Sequence, residues 1–228
     1  MVGVRFKDVF SIIGPAMIGP SSSHTAGAAR IGFAVRQLLG EQPLTARIEL
    51  FGSFADTYAG HGTDFALVGG LLGLAPDDPG LPESMAEAAR LGMAIDLLPS
   101  KGVPMHPNTA RISARTARSE VVATAASIGG GNIEIQEIDG FEVKMSCAYP
   151  TIVLVHLDRQ GIVASISAVL TRHSLNIANM QVKRSGRFGE TLTVLELDDN
   201  WNDGLLAELT AVPDMRSVRT ISLEMKRK

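Results

Sequence analysis

The sequence predicts an α+β fold in two domains, residues 1–147 and residues 148–228. Three observations support this prediction. Both parts mix helical and strand patterns of hydrophobicity. The first part carries 11 basic and 15 acidic residues, a net charge of −4, whereas the second carries 10 and 9, a net charge of +1. Glycine is frequent in the loops of the first part, but four glycines fall in the second.

The first part is predicted to contain three helices and six strands. Apolar side chains recur at helical spacing in 25–39, and the very apolar segment 63–72 predicts a buried helix. A third helix, 82–91, begins with a proline and is followed by a glycine. The predicted strands, of which the last four form a meander with an Asp-Gly hairpin turn, are 47–52, 93–98, 110–117, 121–126, 132–138 and 141–146.

The second part has a clear pattern of strands and helices. The near-continuous apolar run TIVLVHL predicts a buried strand at Thr151–Leu157. A turn, DRQG at 158–161, leads into an amphipathic helix that starts at Ile162. The remaining elements are two strands joined by a glycine hairpin, a short helix and a last strand, at 176–183, 190–198, 203–211 and 218–225. The order βαββαβ is that of a ferredoxin-like unit.

Composition excludes several classes of protein. One cysteine in 228 residues excludes an internal disulfide, and also a cysteine-ligated cluster or zinc site built by this chain alone. The net charge of −3 argues against a nucleic-acid partner. The longest apolar run, 65–75, is shorter than the roughly 20 residues of a membrane span, and no targeting segment is visible. We therefore expect a cytoplasmic protein without membrane or nucleic-acid contacts.

The first candidate site is the glycine- and serine-rich segment 14–27, which leads directly into a helix. Free backbone N–H groups and the helix dipole favour a carboxylate or phosphate there. The alternative is an ordinary N-cap, since serine runs before helices are common. Three serines beside a histidine and two Gly-Pro turns exceed what a cap needs. The candidate ligand-binding residues are Ser22, Ser23, Thr25 and Gly27, with His24 as a proton donor or shuttle.

The second candidate site is the segment Gly60-His61-Gly62-Thr63-Asp64, immediately before a helix. The flanking glycines leave the imidazole of His61 unscreened, and histidine is the natural acid or base near neutral pH. Asp64 could orient His61, or it could simply stabilise the first helical turn. The alternative interpretation is a turn histidine with Thr63 or Asp64 as the helix cap.

The third candidate site is the polar turn that contains His106 and Asn108. Its signal is weaker, because proline and asparagine suit an ordinary turn. Structural roles are favoured for three other residues, Cys147, His156 and His173. No histidine pair has a metal-ligand spacing such as HExxH. A hydrolase built from Ser23, His61 and Asp64 would lack the GxSxG elbow of such enzymes.

Three runs carry a family resemblance: IGPAMIGPSSSHTAGAARIG (13–32), YAGHGTDFALVGGLLG (58–73) and HPNTARI (106–112). In this order they resemble the β chain of the two-subunit, iron–sulfur-dependent bacterial L-serine dehydratases. The segment 127–140 and the region from residue 150 onward are similar to that chain too. The paired SSSHTAG and GHGTD motifs are its most specific feature.

The resemblance implies that the chain is half of an enzyme that converts L-serine to pyruvate and ammonia by losing water across Cα–Cβ. It also implies an oxygen-sensitive [4Fe–4S] cluster, a Lewis acid ligated by cysteines of the partner α chain. We then expect His61 to act as a base or proton shuttle and the 22–25 loop to receive the substrate carboxylate. Supporting roles would fall to Thr63, Asp64, His106 and Asn108.

The C-terminal unit is similar to an ACT domain, a small-molecule regulatory module. This similarity implies a ligand near Asp158 and Gly161 and homodimerisation through residues 150–228. The first domain also resembles the allosteric substrate-binding domain of some phosphoglycerate dehydrogenases. A second function therefore stays open: a purely regulatory, serine-sensing subunit without catalytic residues.

Overall fold

The computed structural model describes residues 16–223 and confirms the α+β fold. The helices are α1 (Ala28–Leu39), α2 (Ser53–His61), α3 (Thr63–Leu72), α4 (Ser84–Arg90), α5 (Ile162–Arg172) and α6 (Asp203–Thr210). The strands are β1 (Thr45–Phe51), β2 (Ala94–Pro99), β3 (Thr109–Arg115), β4 (Glu120–Gly129), β5 (Asn132–Ile138), β6 (Phe141–Met145), β7 (Thr151–Leu157), β8 (Ile177–Arg184), β9 (Glu190–Leu197) and β10 (Met215–Ile221). Residues 14 and 15 of the first candidate site, and the end of the last predicted strand, lie outside the described residues.

The N-terminal sheet has the strand order β2-β1-β3-β4-β5-β6. Strands β1 and β2 are parallel, and the other pairs are antiparallel, as the predicted meander requires. Because successive side chains point to opposite faces, residues such as Ile48, Ile112 and Ile135 enter one core with the apolar sides of α1 and α3. The opposite face carries polar and charged side chains.

Helices α1 and α3 approach each other through glycines. A Cβ at Gly32 would lie 2.1 Å from the carbonyl oxygen of Leu67, and a Cβ at Gly70 would lie 2.0 Å from the carbonyl oxygen of Ala29. Real Cβ atoms cannot come this close, so the two helices touch backbone to backbone. The helix that begins at Ala28 and the helix that begins at Thr63 are therefore packed as one unit.

The C-terminal sheet has the strand order β10-β7-β9-β8, with α5 and α6 on one face. This order confirms the predicted ferredoxin-like βαββαβ unit. Its other face is also buried, since side chains of β7, β9 and β10 join the core of the N-terminal sheet: Val153, Val155, Leu192, Val194 and Ile221. Burial on both faces explains why β7 is a continuous apolar run rather than an alternating one.

Polar contacts also connect the N-terminal region with the C-terminal sheet. The side-chain amide of Gln37 donates to the carbonyl of Ser222 at 2.9 Å, and its oxygen accepts from the Ser222 backbone N–H at 2.6 Å. Arg219 and Asp139 form a salt bridge of 2.6 Å. The predicted domain boundary at 147/148 lies between β6 and β7, and it stays a prediction because the two sheets share a core.

Two local predictions need correction. Helix α2 was not predicted, because its sequence SFADTYAGH has a weak apolar pattern and buries only Phe54. The helix predicted at 25–39 is confirmed over Ala28–Leu39, but its first residues belong to a π-helix, Ser22–Gly27, that continues into α1. Within residues 16–223, no helix is both long enough and apolar enough to cross a membrane.

Candidate functional site

The first turn of the site is capped by Ser21. Its side-chain oxygen accepts a hydrogen bond from the backbone N–H of His24 at 3.2 Å, and its carbonyl accepts one from the N–H of Thr25 at 2.8 Å. This is the N-cap geometry that the serine run made plausible. Because Ser21 serves as the cap, the hydroxyls of Ser22 and Ser23 are not needed for that purpose.

His24 is held at both ring nitrogens by hydroxyl groups. Nδ1 lies 3.2 Å from Ser23 Oγ and 3.3 Å from Ser21 Oγ, while Nε2 lies 3.1 Å from Ser53 Oγ. The edge of the ring contacts Phe54, with 5.3 Å between ring centroids. A hydroxyl can donate or accept a hydrogen bond, so both neutral tautomers of His24 are accommodated.

His61 lies beside His24, with 5.1 Å between the ring centroids. It is the last residue of α2 and is exposed, and Gly62 follows it at φ 71°, a left-handed conformation that favours glycine. The predicted loop is therefore a junction between two helices. The pKa of His24 is lowered, first by burial and second by the nearby His61, although a hydrogen bond with the Ser53 backbone acts in the opposite direction.

Other predicted residues take up structural positions around this pair. The side chain of Thr25 is fully buried, and its hydroxyl donates to the carbonyl of His61 at 3.3 Å. Gly27 is buried against β4, where a Cβ would lie 2.0 Å from Ser127 Oγ. Thr25 thus links the two histidine segments directly, and Gly27 lets the π-helix approach the sheet.

Thr63 and Asp64 do not orient His61 in the way that the spacing suggested. Thr63 Oγ1 and Asp64 Oδ1 are buried and have no hydrogen-bond partner among the described residues. Both side chains stand at the start of α3, whose N-cap, Gly62, supplies no capping side chain. The position of His61 is fixed instead by its place at the end of α2 and by Thr25.

The third candidate segment packs against the start of α2. The carbonyl of Pro107 accepts from the N–H of Phe54 at 3.4 Å, and that of Asn108 accepts from the N–H of Ser127 at 2.9 Å. Within the turn, His106 Nδ1 accepts from the N–H of Asn108 at 3.2 Å. The three sequence segments therefore converge, and the third supports the helix that carries Ser53.

Ser21 and Ser53 are the site residues that the sequence interpretation missed. Ser53 follows Gly52, which has φ 55° and sits so close to Pro107 that a Cβ would lie 2.6 Å from its carbonyl oxygen. A glycine–serine pair just after a predicted strand is the signal that could have indicated a functional turn there.

The predicted ligand residues of the C-terminal unit lie in the turn before α5. Asp158 Oδ2 accepts hydrogen bonds from Arg184 Nη1 at 3.1 Å and from the N–H of Phe188 at 3.2 Å. Gly161, at φ 86°, precedes the first residue of α5. These contacts connect the turn to the β8–β9 hairpin, and a ligand role for Asp158 and Gly161 stays a prediction.

The remaining histidines and the cysteine have structural surroundings. His156 is fully buried, and His173 contacts Glu208 at 3.0 Å at the end of α5. Cys147 is buried, and burial raises the pKa of its thiol. Since it is the single cysteine of the chain, these residues do not fit an iron–sulfur cluster. Among residues 16–223 there is also no group of three or more histidine, cysteine or acidic side chains that could hold a metal ion.

Sequence comparisons identify relatives of the whole chain. Residues 6–91 match the family described as the serine dehydratase beta chain. The chain is 43% identical to the probable L-serine dehydratase, beta chain, of Bacillus subtilis, over 96% of this chain and 100% of that protein. It is 33% identical to the L-serine dehydratase, beta chain, of Peptoniphilus asaccharolyticus, over 94% and 97% of the two chains.

More distant similarity extends to other proteins. The D-3-phosphoglycerate dehydrogenase of Synechocystis is 28% identical over 86% of this chain, which corresponds to 36% of the dehydrogenase. The solved ACT domain from the GTP pyrophosphokinase of Chlorobium tepidum matches 35% of this chain and 92% of its own, at 21% identity and a TM-score of 0.26. Because two beta chains match over nearly their entire length, the chain belongs to the serine dehydratase beta chain family.

Proposed function

We propose that this chain is the β subunit of an L-serine dehydratase, which converts L-serine to pyruvate and ammonia at a site shared with an α chain. Two relatives named L-serine dehydratase, beta chain, support this function. The observation that carries the catalytic part of the proposal is the pair of imidazoles, His24 and His61, 5.1 Å apart with His61 exposed.

The reaction requires a base for the Cα proton of serine. His61 takes that proton, because it is exposed where a second chain can reach it. His24 shuttles a proton through the hydroxyls that are bonded to its ring nitrogens, and burial lowers its pKa, which favours the neutral ring at pH 7. The hydroxyl of Ser53 holds Nε2 of His24 in place during this exchange.

The substrate carboxylate binds at the start of the π-helix. Ser22 and Ser23 supply hydroxyls there, and backbone N–H groups at a helix start attract anions. Ser23 Oγ also contacts His24 Nδ1 at 3.2 Å, so carboxylate binding and the histidine pair are adjacent. Thr25 acts by positioning, since its side chain is buried and bonded to His61.

The α chain is proposed to supply the [4Fe–4S] cluster implied by the family resemblance. A [4Fe–4S] cluster needs several cysteine thiolates, and this chain has the buried Cys147 alone. With the cluster on the α chain, this chain contributes carboxylate binding and proton transfer.

The test is reconstitution of the two-chain enzyme. This chain is co-expressed with its α partner and purified anaerobically, and pyruvate formation from L-serine is measured, with each chain alone as a control. Activity should require both chains. In the complex, His61→Ala should lower turnover by roughly 100-fold or more, while the control variant His173→Gln, far along the sequence in the C-terminal unit, stays close to wild type.

A regulatory function is the second candidate. The dehydrogenase relatives favour it, because the D-3-phosphoglycerate dehydrogenase of Synechocystis, which is not named a dehydratase, contains a region that aligns with 86% of this chain. Full activity of the α chain alone, or an unchanged rate with His61→Ala in the complex, would contradict the catalytic proposal and leave the regulatory one.

The C-terminal unit is proposed to join two copies of the chain and to bind serine near Asp158 and Gly161. Strand β8 is an edge of its sheet and exposes Val182, and exposed strand edges favour pairing. Sedimentation of the full chain measures the dimer, and calorimetric titration of the full chain with L-serine measures the binding. A monomer in sedimentation would contradict the dimer.

A further inference from the structure

A cleft of about 440 Å³ lies at the junction of the two sheets, and we call it the junction cleft. Its floor is the polar face of β3 to β6, on the side opposite to α1 and α3. One wall is the loop 102–105 together with Phe51, and the other is formed by Gln181 and Lys183 of β8. The cleft is of a size that suits a small ligand, and none of its lining residues belongs to the histidine site.

The floor carries a row of paired residues across four strands. Arg111 pairs with Thr124, Thr124 with Glu137, and Glu137 with Glu142. Arg111 Nη2 lies 3.5 Å from Glu137 Oε1. Thr124 Oγ1, between them, is buried and has no hydrogen-bond partner among the described residues.

The end of this row brings two carboxylates together, and Lys144 and Lys183 also line the cleft. Glu137 and Glu142 stand directly opposite each other on neighbouring strands, an arrangement of like charges that destabilises a sheet. In the described part of the chain Glu142 has no ion-pair partner. A cation placed over this end of the row would relieve the repulsion.

The walls of the cleft are apolar on one side. The side chains of Val103 and Met105 are 100% and 84% exposed, and Phe51 lies beneath the loop at Gly102. On the other side Gln181 bonds to the backbone of Lys144 twice, at 2.6 and 3.0 Å. The cleft therefore has an apolar wall at Phe51 and Met105, and its opposite wall holds the two sheets together.

From these features we infer that the junction cleft binds an α-amino acid with an apolar side chain. The carboxylate bonds to the Arg111 guanidinium and the Thr124 hydroxyl, and the ammonium lies between Glu137 and Glu142. The side chain packs on Phe51 and Met105. Such a ligand matches the order of positive, neutral and negative groups along the row, and it is distinct from serine, which lacks the apolar part.

Calorimetric titration of the full chain tests this inference with L-leucine as the probe. Two analogues separate the charges: 4-methyl-2-oxopentanoate lacks the ammonium, and 3-methylbutylamine lacks the carboxylate. Leucine should bind at least tenfold more tightly than either analogue and than L-serine. No binding of leucine, or equal binding of the keto acid, would overturn the inference.

Variants locate the site. Arg111→Gln and Thr124→Val should each weaken leucine binding, Arg111→Gln by roughly tenfold. The control is Arg47→Gln, which lies on the same face of the sheet but pairs with Glu49 and does not line the cleft. If Arg111→Gln unfolds the chain, the exposed Glu142→Gln replaces it. Equal affinity in the control and in these variants would overturn the site, whereas pyruvate formation by the two-chain enzyme tests the histidine pair separately.

Discussion

His156 and His24 are both held at each ring nitrogen, yet the two histidines have different hydrogen-bond partners. In the C-terminal unit, His156 Nδ1 faces the carbonyl of Leu157 and Nε2 faces Thr193 Oγ1, each at 2.9 Å. A carbonyl only accepts, so the proton of His156 must lie on Nδ1. His24 in the N-terminal region faces hydroxyls on both sides and therefore has no fixed proton. The contrast shows that a histidine whose ring nitrogens face a carbonyl has a fixed proton, whereas one that faces only hydroxyls can transfer it. The hydrogen-bond partners of the ring therefore decide its role more than its burial does.

The largest expected effect is on turnover. In the two-chain enzyme, His24→Ala should lower kcat by about 100-fold, because it removes the proposed proton shuttle beside His61. His156→Ala should leave kcat per folded molecule within a few-fold of wild type. Steady-state pyruvate assays, normalised to folded protein, measure both. Equal losses of kcat in the two variants would contradict this distinction between the two histidines.

For the free energy of unfolding, the order of the two variants is reversed. His156→Ala should lower the free energy of unfolding by about 3 kcal/mol, since it leaves a cavity in a fully buried position and removes the partner of Thr193. His24→Ala should cost less, because its ring lies closer to solvent. Urea denaturation of the isolated chain gives both values. A larger loss for His24→Ala would contradict this assignment.

A smaller effect is expected for Ser53, which acts as a positioning residue. Ser53→Ala should lower kcat by about tenfold, and Ser53→Thr should restore most of it because the hydroxyl is retained. The bond that raises the pKa of His24 is made by the Ser53 backbone, which both variants keep. The acidic limb of the pH–rate profile should therefore stay in place. A limb that moves to lower pH would mean that the Ser53 hydroxyl sets the pKa of His24.

The smallest effect concerns pH-dependent stability. The pKa of His24 is lowered in the folded chain from its ordinary value of 6.5. Below about pH 6.5 the unfolded chain then binds more protons at this site than the folded chain, so folding weakens as pH falls. His24→Asn should reduce the loss of melting temperature between pH 7.5 and pH 5.5. An identical loss of melting temperature in the wild type and in His24→Asn would contradict the lowered pKa of His24.

Most of the fold was predictable from local patterns. The run at β7, the apolar helix α3 and the meander with its Asp-Gly turn each have a strong periodicity or turn signal, and each lies where the sequence placed it. Helix α2 was missed because it buries one large side chain, Phe54. Its weak pattern carried too little information to distinguish a helix from a loop.

The site was predictable in its segments but not in its contacts. His24 and His61 could be selected because glycines and serines surround them. Their separation, and the bond from His24 to Ser53, arise from packing between residues 29 to 37 positions apart in sequence. The sequence also left open whether Asp64 orients His61 or stabilises the first helical turn, because adjacency along the chain does not determine which atoms a carboxylate contacts.

The glycine contact between α1 and α3 has a mechanical consequence. His24 stands one turn before α1, and His61 stands two residues before α3. Each imidazole therefore lies close to the start of one of two helices that touch at Gly32 and Gly70. At this crossing the two backbones are in direct contact, with no side chain between them. The spacing of the imidazoles would therefore change when a methyl group at Gly32 forces the two helices apart.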